Sequence, residues 1–73
     1  MVSREEEITR WAQITITKKD HATKFGSRTY YIYNKGYEHS EGYALARILQ
    51  KIGYDTMITS GKMSSTVYIS NRS

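Results

Sequence analysis

Two histidines in this 73-residue sequence stand beside carboxylates: His21 follows Asp20, and His39 lies between Glu38 and Glu41. An imidazole next to a carboxylate can serve as a general acid or base, or help to hold a metal. His39 is the better placed of the two, because it sits just ahead of a predicted helix. The cluster Glu38-His39-Ser40-Glu41 therefore permits one enzyme reading, a small nuclease. The rest of the sequence gives that reading little support. Both histidines fall in predicted loops, where a lone imidazole is ordinarily a solvated surface group. They are not at a ligand-like spacing, and cysteine is absent, which removes disulfides and thiolate metal sites. Gly36, Gly42, Gly53 and Gly61 are scattered and form no phosphate-binding loop. No catalytic residue, metal ligand or cofactor is assigned from the sequence.

Aromatic and basic residues carry a second chemistry. Seven tyrosines, one tryptophan and one phenylalanine accompany a net charge of +4. That charge is uneven. Arg4 faces Glu5, Glu6 and Glu7 within the first seven residues, so residues 8–73 hold ten basic and four acidic side chains, a net of +6. A body of that sign attracts polyanions or acidic protein surfaces.

The elements that must position these groups follow from periodicity. Ala12, Ile14 and Ile16 alternate with Gln13, Thr15 and Thr17, which predicts a first strand over about 9–18. A polar loop from Lys19 to Ser27 leads to a second strand, Arg28 to Asn34, rich in β-branched and aromatic residues. Ser40 is a candidate cap for a helix whose Ala44, Leu45, Ile48, Leu49 and Ile52 recur at helical spacing, with Gly53 as its stop. Tyr54 to Thr59 and Ser64 to Ser70 read as a third and fourth strand around the Ser60-Gly61-Lys62 turn. The expected fold is α+β, ββαββ: a four-stranded, mainly antiparallel sheet with one α-helix packed on one face.

Such a sheet leaves its other face uncovered. Parity assigns Ala12, Ile14, Ile16, Tyr30, Ile32, Val67 and Ile69 to the helix side, and Trp11, Tyr31, Tyr33 and Tyr68 to the open side. Lys18, Lys24, Arg28, Lys35, Lys62 and Arg72 stand around the edges. Rings on an open sheet with cations at its margin suit single-stranded nucleic acid, because every base offers a face to stack on and phosphates need cations. On this reading Trp11, Tyr31, Tyr33 and Tyr68 stack on bases, while Lys18, Arg28, Lys35 and Arg72 contact phosphates. Lys24-Phe25-Gly26-Ser27-Arg28-Thr29-Tyr30 comes nearest to an RNA-recognition motif but has the wrong spacing. The alternative is a small regulatory or inhibitory protein, of the size encoded by viral and mobile-element genes, that docks the same surface on an acidic patch of a host protein.

The length allows one small domain, 1–73, with residues 1–7 as an acidic start that either frays or adds a helical turn. Without disulfides or metal, support must come from packing or self-association, and a homodimer is expected through the open face or an edge strand. No run approaches the roughly 18 apolar residues of a membrane helix, and the start lacks a signal-peptide core. The expected location is cytoplasmic, with no membrane partner.

Overall fold

The computed structural model describes residues 3–70. Its elements in chain order are α1 (Arg4–Thr15), a 3₁₀ turn (Lys19–His21), β1 (Ala22–Phe25), β2 (Arg28–Tyr37), α2 (His39–Ile52), β3 (Asp55–Ser60) and β4 (Ser65–Ser70). The strands form one sheet in the order β1-β2-β4-β3, with every neighbouring pair antiparallel. The fold is thus α+β with a four-stranded antiparallel sheet, but it has two helices rather than one.

The predicted first strand is α1. Ser3 accepts a hydrogen bond from the Glu6 backbone N–H at 3.2 Å. Glu5, Glu6 and Glu7 occupy the first turn, where the helix dipole favours anions. Ile8, Ala12 and Thr15 recur one helical turn apart and are buried. The alternating Ala12, Ile14 and Ile16 suggest a strand only because these helix-face residues share a stretch with an exposed Ile14.

The strand missing from 9–18 is supplied by the predicted polar loop. β1 runs over Ala22–Phe25 and turns through Gly26 and Ser27 into β2, pairing Phe25 with Arg28 and Thr23 with Tyr30. It is a short edge strand, exposed over Ala22 to Lys24. Its polar composition is what an edge tolerates, so no apolar alternation marks it.

β2 departs from regular pairing with β4 between Ile32 and Asn34 and again between Lys35 and Tyr37. Gly36 lies in the second irregularity with φ of +87°, a left-handed conformation that disfavours a side chain. α2 begins at His39 with Glu38 as N-cap, two residues earlier than the predicted cap Ser40, and Gly53 closes it by donating to the Leu49 and Gln50 carbonyls. Because β2 and β3 each run antiparallel to β4, they are parallel to one another, and α2 is the crossover between them.

Both helices cover the same face. Ile8 and Ala12 of α1 and Leu45 and Leu49 of α2 join Tyr33, Tyr54, Val67 and Ile69 in one core. Directly opposed residues share a sheet face, so the register fixes every strand. Tyr31 opposes Ile69 and Ile58 opposes Val67, on the helix side. Ile32 and Met57 both oppose Tyr68, on the other side. The predicted parity of β2 is therefore inverted: Tyr31 and Tyr33 face the helices, while Tyr30 and Ile32 face away. Period 2 groups residues by face, but only the partner strand says which face is covered. Ala44, one of the apolar residues whose spacing predicts α2, is exposed, whereas Gly42 and Ala46 are buried.

Candidate functional site

The face opposite the helices carries Phe25 from β1, Tyr30 and Ile32 from β2, Thr66 and Tyr68 from β4, and Met57 and Thr59 from β3. Three of its rings touch. Phe25 meets Tyr30 edge-to-face with centroids 5.8 Å apart, and Tyr68 in the same manner at 5.3 Å. The two-residue turn at Gly26-Ser27 brings this about, folding Phe25 back beside β2 diagonally from Tyr30. All three rings are half-buried, as are Ile32 and Met57. They form a continuous apolar, aromatic patch.

Charge stands at the ends of this patch. Arg28, at the start of β2, shares the Phe25 face and makes an ion pair with Asp55 at the start of β3. Both side chains are more than two-fifths exposed, so the pair adds little stability and remains open to an incoming anion. Lys35 opposes Thr66 farther along β2 and is exposed. Lys62, in the turn between β3 and β4, is exposed as well.

Of the residues predicted to bind, Tyr68, Arg28 and Lys35 stand on this face. Trp11, Lys18, Tyr31 and Tyr33 lie on the helix side. Arg72 lies outside the described residues. Trp11 belongs to α1, where its Nε1 donates to the Tyr33 carbonyl oxygen at 2.9 Å. Its ring meets Tyr33 edge-to-face at 6.5 Å, and the Lys18 ammonium sits 4.3 Å over the indole. Tyr33 is buried, and its hydroxyl lies 3.5 Å from the Ile8 carbonyl oxygen. Burial pushes the Tyr33 phenol up to about 12, with Tyr37 adding to the shift. Tyr37 is raised by burial and by Glu41, against a hydrogen bond from Asn34 that lowers it. Both tyrosines stand on the helix side of the sheet.

Phe25, Tyr30, Ile32 and Met57 were not among the sequence candidates. A signal for Phe25 was present: Gly26-Ser27 is a two-residue hairpin loop that pairs it with Arg28.

His39 Nδ1 lies 2.6 Å from Ser65 Oγ. Ser65 is fully buried at the start of β4, so its hydroxyl is not presented to a substrate. The bond ties the start of α2 to the sheet. Among the described residues no three histidine, aspartate or glutamate side chains converge as a metal site. No described helix is long and apolar enough to cross a membrane. Compared with protein families, curated proteins and solved structures, the chain matches none.

Proposed function

We propose that the protein binds single-stranded nucleic acid on the open face of its sheet. The observation that carries this reading is the Phe25, Tyr30 and Tyr68 cluster on the face that neither helix covers, with Arg28 and Lys35 on the same face. Bases stack on such rings regardless of sequence, and the cations track the backbone. The net charge of +6 over residues 8–73 draws a polyanion toward the surface.

Fluorescence anisotropy with mixed-sequence single-stranded DNA, single-stranded RNA and duplex tests the proposal. Tyr68→Ala is expected to weaken single-strand binding by roughly 5- to 150-fold, corresponding to about 1–3 kcal/mol for one stacked base. No binding to any of the three at low salt overturns the reading. Nuclease activity is not part of it.

A second reading, a protein partner with an acidic surface, draws on Ile32 and Met57. Aliphatic side chains in the middle of the patch add contact area to a protein interface but no stacking face. A regulatory or inhibitory protein of viral or mobile-element origin fits this alternative. A stoichiometric partner from the native host that survives nuclease treatment and is lost with Tyr68→Ala favours it.

A further inference from the structure

β3 ends the sheet, so one row of its backbone N–H and C=O groups faces away from β4. It is paired without irregularity from Asp55 opposite Ser70 to Ser60 opposite Ser65. It carries no proline, lysine or bulge, the usual devices that blunt an edge. The other edge, β1, is only four residues long and holds Lys24. β3 is also held in place. Gln50 Nε2 of α2 donates to Thr56 Oγ1 at 2.7 Å, and Ile58 packs against the core.

Alongside β3 runs an open groove whose wall is the outer flank of α2, with Tyr43, Ala44 and Ile48 facing Thr56 and Ile58. Tyr43 is 56% exposed there, on a flank that a small residue, Ala44, leaves shallow. Arg47 also lines the groove, and its long side chain can reach past an occupant to solvent.

We infer that β3 pairs antiparallel with β3 of a second copy about a two-fold axis, joining two sheets into one of eight strands. The register follows from the faces. Opposed residues share a face, so both pairs of helices lie on one side only if inward residues meet inward ones. Two central registers satisfy this, Met57 on Met57 or Ile58 on Ile58. The second sets the half-buried Ile58 against its counterpart on the helix side, and Thr56 against Ser60. It also brings Asp55, which already pairs with Arg28, beside Gly61 and Lys62 of the other copy, so the carboxylate stands between two cations at each end of the seam. The α2 flanks then approach across the seam and cover Tyr43. A domain this small, without disulfides, gains the additional burial it lacks alone. The open faces remain uncovered and become continuous, so this assembly is independent of the nucleic-acid reading.

Sedimentation equilibrium of the full chain is expected to give twice the chain mass at high micromolar concentration. Tyr43→Glu, on an exposed position, should raise the dissociation constant at least about tenfold while the variant stays folded. The sequence has no native cysteine, so single substitutions report the register. Under mild oxidation Ile58→Cys should cross-link into a dimer, and Met57→Cys and Thr59→Cys should lag well behind. A wild-type monomer at that concentration overturns the inference. So does a dimer that Tyr43→Glu leaves intact and Tyr68→Glu dissolves, since that dimer uses the open face instead.

Discussion

The indole N–H of Trp11 donates to the backbone carbonyl of Tyr33 at 2.9 Å, joining the middle of α1 to the first irregularity of β2. Broken ladder pairing leaves backbone groups in need of partners, and the indole supplies one. Trp11→Phe keeps a ring against Tyr33 but removes the donor. Urea denaturation should show a loss of about 1 kcal/mol with an unchanged slope. Single-strand affinity should not change, because Trp11 lies on the helix side. A large loss of affinity without loss of stability would return Trp11 to the binding surface.

Alkaline pH should act on the same junction. Tyr33 has a folded pKa of about 12 against an ordinary value of 10.0, because burial disfavours the phenolate. Below pH 10 the phenol is protonated in both states and the native contact is intact. Above it the unfolded chain ionises first, so stability falls from about pH 10 and the loss is complete past about 12. Thermal denaturation across this range should show Tyr33→Phe falling less steeply than the wild type. Equal slopes would mean that the Tyr33 phenol is not protected.

Phosphate contacts leave a signature in salt. Lys35 opposes Thr66 on the open face and makes no ion pair with another of the described residues. If it neutralises a phosphate, Lys35→Gln should lower the slope of log affinity against log salt by about 1 for single strands and duplex alike. Arg28→Gln should weaken binding too, while changing stability by less than about 1 kcal/mol because its pair with Asp55 is exposed. An unchanged slope in both variants would remove this end of the face from the interface.

The parts legible in the sequence are those whose apolar spacing has one interpretation. Leu45, Ile48, Leu49 and Ile52 define α2, and Val67 with Ile69 places β4 on the core. α1 was obscured because Ala12, Ile14 and Ile16 satisfy a period of 2 while Ile8, Ala12 and Thr15 satisfy a helical one, and tertiary packing decides between them. β1 carries no pattern because an edge strand buries almost nothing. The open face was anticipated as a kind of surface, aromatic with basic ends. Its membership depended on the facing of β2. Tyr30, Tyr31, Ile32 and Tyr33 are all suited to a strand, so composition did not distinguish the two sides.

A final prediction concerns how closely α2 lies on the sheet. Gly42, in the first turns of α2, is buried, and a Cβ there would stand 3.3 Å from Ser65 Cβ and 3.8 Å from Tyr37 Cβ and Val67 Cγ2. Alanine favours a helix interior over glycine by up to about 1 kcal/mol, so Gly42→Ala would stabilise the chain if space allowed. The tight contact falls on Ser65, which is paired on one side with Tyr37 and on the other with Ser60 and so has little freedom to yield. α2 must lift instead, stretching the 2.6 Å bond between His39 and Ser65 and loosening Leu45 and Leu49. The expected result is a net loss of about 1 kcal/mol. Ser65→Gly removes the opposing Cβ and forfeits the His39 bond, costing about 1 kcal/mol or more by itself. In the double variant the added methyl occupies the vacated space, so the combined loss should be smaller than the two single losses together by at least about 0.5 kcal/mol. Strictly additive losses would show that the helix N-terminus does not bear on β4 through this contact.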